Sequence, residues 1–333
     1  MQTPHLREAL SAMTGRRILV TGASGAIGAR LVRLLSRHGA RVHGLLRPGS
    51  TAWRLQGLDP DVVLHTAAVE QPDAMLALWN AIRPDYAFHL ATARGTGDAV
   101  RRHMLQVSIG SAQALIEAMR ATPARGLVVA GSSMEYAPSD HAIGEDHPVD
   151  PRQWFAAAKA AASVLYRQAA QAEGLPICIV RLFHVHGPWE SRHRLAPTAL
   201  MAALNQTPLS LTASDSRRDW VYIDDACEAL VLAALGAIPG EVFNIGAGRD
   251  VGNEEFVRTV EIVTGQNIIR NSQAFAPRVT DAAHRFADVT LARERLGWQP
   301  RHSLEAGLAA QLSWLTAHPE LMQIEADQWE VQQ

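Results

Sequence analysis

Hydrophobic residues along the chain form short unbroken runs, separated by longer stretches in which they recur every three or four positions. The runs RRILVTG (16–22), RVHGLLR (41–47), DVVLHTA (61–67), DYAFHLA (85–91), GLVVAGSS (126–133) and PICIVRLF (176–183) predict six strands. Between them, AIGARLVRLLSRHG (26–39), PDAMLALWNAI (72–82), 98–121 and 151–173 carry helical spacing. Runs this apolar are buried on both faces, so the alternation predicts an α/β protein with a doubly wound parallel sheet. Beyond residue 183 the pattern loosens. HGPWESRHRLAP reads as a loop and 194–205 as a helix, and RRDWVYIDDACEALVLAAL reads as a short strand and a helix. EVFNIGAG (241–248) is one more buried strand, and 252–264 and 303–317 are further helices.

Composition narrows this little. Apolar residues make up 47% and charged residues 19% of 333, the balance of a folded globular chain. The net charge of -2 and the scattered arginines argue against nucleic acid as a partner. No run approaches the ~18 apolar residues of a membrane span. The first 14 residues lack the apolar centre of a secretory signal, so the expected location is the cytoplasm. Cys178 and Cys227 show no metal spacing and read as buried free thiols; no metal is expected.

The segment TGASGAIG (21–28) follows a strand and opens a helix, with Gly22, Gly25 and Gly28 spaced GxxGxxG. Glycines there permit a tight turn and close approach of backbone to a pyrophosphate, and the helix N-terminus offers free N–H groups to it. Ser24, Ala26 and Ile27 belong to the same turn. The reading is a Rossmann-type dinucleotide site. Residues 1–183, with 219–248 crossing back, are expected to hold the cofactor, and 184–218 with 249–333 to form a smaller C-terminal substrate lobe. The second strand ends LLRPGST, with no acid to take a ribose 2′-OH. Arg47, helped by Ser50 or Thr51, suits a 2′-phosphate, so NADP is expected before NAD.

TGASGAIG, DYAFHLAT, GSSMEY, the helix bearing Lys159, RLFHVHGP and RRDWVYIDD stand in an order that resembles the extended short-chain dehydrogenase/reductases. That family includes NAD(P)-dependent epimerases, dehydratases and 4-ketoreductases of nucleotide sugars. The tail ADVTLARERLGWQPRHSLEAGL is similar to its C-terminal pattern, and the resemblance runs over about residues 15–316. It implies a homodimer, a nucleotide-sugar substrate, and a Ser, Tyr and Lys that act together at the sugar, with the Lys also hydrogen-bonding the cofactor ribose. By position Ser133 matches the serine and Lys159, the only lysine in the chain, matches the lysine. Phe155 stands where the tyrosine is expected. The ring is kept, but the hydroxyl that a neighbouring ammonium would activate is gone. Three readings follow: a change made to trap substrate, a chain that binds without catalysis, or a proton carried by Glu135, Tyr136 or His184. The resemblance also implies that Leu90, Ala91, Thr92 and Phe183 line the cofactor. On the same basis Arg94, Ser133, Tyr136, His184, Arg194 and Arg218 line the substrate. Asp224 and Asp225 read as a helix N-cap and a first-turn acid. Where the family has an Asp for adenine after the third strand, HTAAVEQPD has alanine.

Overall fold

A computed structural model of the chain describes residues 3–95, 97–212, 216–236, 238–275 and 284–320. In chain order the first half comprises α1 (Pro4–Met13), β1 (Arg17–Thr21), α2 (Ala26–Arg37), β2 (Arg41–Leu46), β3 (Val63–Thr66), α3 (Pro72–Ile82), β4 (Tyr86–His89), α4 (Asp98–Leu105), α5 (Ser111–Ala121), β5 (Gly126–Ser132), α6 (Trp154–Glu173) and β6 (Ile177–Leu182). The second half comprises β7 (His184–His186), α7 (Leu195–Asn205), β8 (Leu209–Thr212), β9 (Arg217–Arg218), β10 (Trp220–Tyr222), α8 (Ile223–Gly236), β11 (Val242–Ile245), β12 (Val251–Gly252), α9 (Asn253–Thr264), β13 (Arg270–Phe275), α10 (Thr290–Leu296) and α11 (Leu304–Ala317).

The central sheet has seven strands in the order β11-β6-β5-β4-β1-β2-β3, all paired in parallel. Its strands are the apolar runs of the sequence, and β5 and β6 are buried at every position. The strand order reverses between β1 and β4. At such a switch point the connections leave in opposite directions and open a crevice at the carboxyl edge. β11, from EVFNIGAG, returns to this sheet beside β6.

The rest of the second half adds three short strand pairs: β7 with β10, β9 with β12, and β8 with β13. They pack with α7, α9 and α11 around a separate core that includes Leu200, Leu209, Trp220, Phe256 and Leu308. Among the described residues no helix is long and apolar enough to cross a membrane. Cys178 and Cys227 are buried and free.

Two elements differ from the sequence expectation. The first 14 residues contain a helix, α1, which the sequence reading did not assign. Thr3 Oγ1 caps it by accepting from Leu6 N at 3.2 Å, Pro4 sits in its first turn, and Leu6, Ala9, Leu10 and Met13 are buried. The long helix over 98–121 is interrupted by a π-helical turn at Gln106–Gly110. An added Cβ at Gly110 would lie 3.1 Å from both Cβ and O of Glu70, so glycine lets that turn close on the loop after β3.

Asp224 and Asp225 lie inside the first turn of α8. Asp224 pairs with Arg30 of α2. Asp225 is fully buried and accepts from His302, its backbone N–H and Nδ1 both approaching, and from Arg301 N. The acids therefore tie α8 to α2 and to the segment before α11.

Candidate active site

The crevice at the switch point holds two adjoining cavities of about 240 and 360 Å³, which share Gly22, Gly25, Leu90 and Thr92 on their walls. Together they form one groove across the carboxyl edge of the sheet. The turn after β1 shapes its middle. Gly22 has φ 69°, and a Cβ there would sit 2.7 Å from Ala91 N. A Cβ on Gly28 would run into the Gly22 carbonyl oxygen. The first turn of α2 carries no acid. Backbone this close, with free N–H groups and no side chain in the way, fits a pyrophosphate.

The smaller cavity runs from this turn towards the ends of β2 and β3. Ser24, Arg47, Ser50, Ala67, Glu70, Ala91 and His103 contribute to its wall. Arg47 is exposed, and its carbonyl accepts from Ser50 Oγ at 2.7 Å. Space and polarity here fit the adenosine half of a dinucleotide, and no carboxylate follows β2.

The larger cavity runs towards β5 and α6. Ala26, Ile27, Gly28, Phe183, Arg94, Phe155, Lys159 and Arg194 line it, as does Ser132. Phe155 and Lys159 share one face of α6, four residues apart. Lys159 is buried, and its Nζ donates to the Ala130 carbonyl of β5 at 2.8 Å. Burial lowers its ammonium to about 8, against an opposing pull from Glu135 and with help from Arg94. The Arg94 guanidinium lies over the Phe155 ring, 4.4 Å from its centroid.

The serine on the cavity wall is Ser132, the last residue of β5; Ser133 lies one residue further on and is absent from that wall. Ser133 instead starts a short 3-10 turn, and its carbonyl accepts from Arg285 at 2.6 Å. GSS offers two adjacent serines, and only the exact strand end decides which one meets the groove.

Glu135, Tyr136 and His184 are drawn away from the cavity. The Glu135 carboxylate is fully buried and accepts from Ser132 N at 2.7 Å, Ser163 Oγ at 2.9 Å and Arg181 Nε at 3.0 Å. The Tyr136 hydroxyl donates to Asn244 at 2.8 Å, and burial raises it above the usual phenol value. The His184 ring packs 4.2 Å from Trp220, and burial followed by the Arg194 charge keeps it neutral. Its Nε2 lies 3.3 Å from an Arg194 amino group, so the neutral ring accepts there. Arg218 on β9 donates to Asn253 at 3.1 Å and does not line either cavity.

Among the titratable residues on the wall of the larger cavity, Arg54, His186 and Glu190 carried no site expectation. Glu190 accepts from Gln311 at 3.1 Å and from Arg194 at 3.4 Å, and burial raises it to about 7. Arg54 stacks on Trp53 and donates to the Trp189 carbonyl at 2.8 Å. The bonds to Gln311 and to the Trp189 carbonyl join distant segments, so no local spacing announces them. Among the described residues no group of three or more His, Cys, Asp and Glu could hold a metal ion.

Comparison with known proteins places this groove in context. The profile described as "NAD dependent epimerase/dehydratase family" matches residues 18–246. A UDP-glucose 4-epimerase of Mycolicibacterium smegmatis is 31% identical over 306 residues, covering 88% of this chain and 96% of that protein. A probable dTDP-glucose 4,6-dehydratase of Sinorhizobium fredii is 26% identical, covering 90% and 92%. Among solved structures, a Tyr→Phe variant of UDP-glucuronic acid 4-epimerase from Bacillus cereus superposes with a TM-score of 0.82 at 25% identity. It covers 90% of this chain and 99% of its own, and it holds UDP-4-deoxy-4-fluoro-glucuronic acid and NAD.

Proposed function

The chain belongs to the NAD dependent epimerase/dehydratase family, and from that premise we propose that it is a cytoplasmic, NADP-preferring enzyme of the epimerase or 4-ketoreductase type, acting on a nucleotide-linked sugar. The reading rests on one observation: a single groove runs from the glycine turn to the Phe155–Lys159 face of α6. The cofactor supplies hydride transfer at the sugar C4. Gly22, Gly25 and Gly28 let the pyrophosphate approach the backbone closely, and the N–H groups at the start of α2 hold it. Arg47 and Ser50 take the 2′-phosphate, with no acid after β2 to repel it. Lys159 orients the ribose next to the nicotinamide, and Ser132 offers its hydroxyl to the sugar oxygen. Residues 1–183 and 219–248 form the cofactor half; 184–218 and 249–333 form the sugar-nucleotide half, with Arg194, which lines the larger cavity, as a phosphate ligand.

Phe155 cannot move a proton. Glu135, Tyr136 and His184 are held by other partners, so none of them replaces the tyrosine. Lys159 remains, with an ammonium that titrates near 8 beside the expected reaction centre. We assign proton transfer to Lys159, at a rate well below that of a phenol relay. The Bacillus cereus Tyr→Phe variant, which holds both ligands, supports retention of binding.

The test has two stages. NADPH and NADH affinities are measured before and after Arg47→Ala; preference for NADPH, lost in the variant, is expected. Reduction of a 4-keto nucleotide sugar is then compared between the chain and Phe155→Tyr. A restored phenol is expected to raise kcat by about 10²- to 10⁴-fold. Turnover in Phe155→Tyr alone would make the present chain a dinucleotide-binding protein without catalysis, which Phe155 itself favours. No dinucleotide binding would overturn the proposal.

A further inference from the structure

We propose that Glu190 is a positioning residue for the substrate diphosphate: a nucleotide sugar entering the groove draws Arg194 off the Glu190 carboxylate, which then takes up a proton from solvent. This rests on the nucleotide-sugar reading and adds to it a residue and a proton count.

Glu190 is the only carboxylate on the wall of the larger cavity, which also carries Arg54, Arg94, Lys159 and Arg194. Its side chain is 8% exposed, so its charge needs a partner. Arg194 is that partner, and it holds on loosely. Its Nε lies 3.4 Å from Glu190 Oε1, and one amino group lies 3.3 Å from the neutral His184 ring. Both distances are long for such bonds. A guanidinium has five donors, and the fork suits phosphate. The Arg194 side chain is 37% exposed and lines the groove. The arginine therefore stands between a buried acid and open space, within reach of an anion on either side. Once it turns to a phosphate, Glu190 loses the charge that kept it ionised, and the phosphate adds a like charge nearby. Both changes favour the neutral acid.

The neutral acid has a place prepared. Gln311 of α11 donates from Nε2 to Glu190 Oε2 at 3.1 Å, whereas its Oε1 is buried with no hydrogen-bond partner among the described residues. Beside it lies the buried His186 ring of β7, with both nitrogens likewise unpartnered, and burial keeps that ring neutral. Turned end for end, the Gln311 amide would accept from the carboxylic acid and offer its N–H groups to the imidazole. One amide thus serves both protonation states of Glu190. The nearby charges on other elements are held elsewhere. Arg33 of α2 lies over the Trp189 ring and bonds the Gln56 carbonyl, Arg54 bonds the Trp189 carbonyl, and Lys159 of α6 bonds Ala130. Burial raises Glu190 to about 7 even with Arg194 beside it, so the proton exchanges near neutral pH.

The diphosphates of UDP-glucose and dTDP-glucose do not titrate near pH 7, so protons taken up on their binding enter the protein. Calorimetric titration of the full chain at saturating NADPH, in buffers of different ionisation enthalpy, counts them. The expected uptake is about half a proton at pH 7 and most of one at pH 8, with affinity falling by up to about tenfold per pH unit between them. Glu190→Gln keeps the shape of the side chain but cannot titrate; uptake should vanish and the affinity should become level from pH 7 to pH 8. Arg194→Gln should weaken binding about 10- to 100-fold and also abolish uptake, because Glu190 is then neutral before the ligand arrives. Binding without proton uptake in the unaltered chain would overturn this inference and leave the nucleotide-sugar reading standing. Uptake that persists in Glu190→Gln would do the same, with Lys159 as its source. If neither sugar nucleotide binds, the nucleotide-sugar reading itself fails, and this inference with it.

Discussion

At the scale of single residues, the chain gives up stability to keep one ammonium in its core. Lys159 is the only lysine among 31 basic residues and is 7% exposed. An arginine could not serve there, because its fork is broad and stays charged. Burial lowers Lys159 from 10.5 to about 8. The folded state thus binds its proton less tightly than the unfolded state. The cost is fully present below pH 8 and fades as pH rises towards 10.5, where the unfolded chain also loses the proton. That difference corresponds to at most about 3 kcal/mol, of which the bond to Ala130 returns about 1 kcal/mol. Lys159→Met is expected to stabilise the protein by about 1–2 kcal/mol at pH 7. The gain should shrink steadily in thermal unfolding experiments run from pH 7 to pH 10. A variant less stable than the parent at pH 7 would show that the ammonium stabilises the fold. Lys159 was legible in the sequence because it is unique and stands four residues after an aromatic at a matched position. Ser132 was not, because choosing between two adjacent serines requires the strand end to the residue.

At the scale of elements, the end of β5 is organised by a charge rather than by hydrophobic contact. Glu135 binds its own strand through Ser132 N, β6 through Arg181 and α6 through Ser163. Arg181 in turn lies over the Tyr136 ring at 4.3 Å. The pair is buried on both sides, with side-chain exposures of 4% and 0%. Removal of one member strands the other without a partner. Glu135→Ala is therefore expected to cost about 3–5 kcal/mol in urea unfolding, and Arg181→Met added to it should recover part of that loss. Additive losses would deny the coupling. A carboxylate two residues after a strand-end serine reads from sequence as a candidate for chemistry; its actual work is to hold β5, β6 and α6 in register beneath the groove. Sequence periodicity does name the elements themselves, since burial imposes it. The runs at 126–133 and 176–183 became β5 and β6 within a residue or two. It is silent about α1, whose buried face shows only once α8 is there to meet it. It is also silent about the π turn, which depends on Gly110 meeting Glu70 from another part of the chain.

At the scale of the whole molecule, the folded chain leaves one helical face without cover. On α6, Trp154, Ala157, Ala161, Val164 and Gln168 follow one stripe at helical spacing, while Lys159 faces inwards. Trp154 is 51%, Val164 63% and Leu165 38% exposed, and Ile109 at 39% extends the surface onto the adjoining π turn. Small residues at Ala157 and Ala161 allow a second helix to approach closely. Soluble monomers rarely leave a contiguous apolar patch of this kind open. A second copy related by a two-fold axis would bury the same face on both sides. We therefore expect the protein to sediment as a homodimer built on α5 and α6. Val164→Glu places a charge at the centre of that contact and should yield monomers in sedimentation velocity at micromolar concentration. The groove lies across the carboxyl edge of the sheet and Val164 does not line it, so dinucleotide affinity should stay within about twofold of the parent. A variant that remains dimeric would place the contact elsewhere. A parent that sediments as a monomer would leave the apolar stripe of α6 as exposed surface.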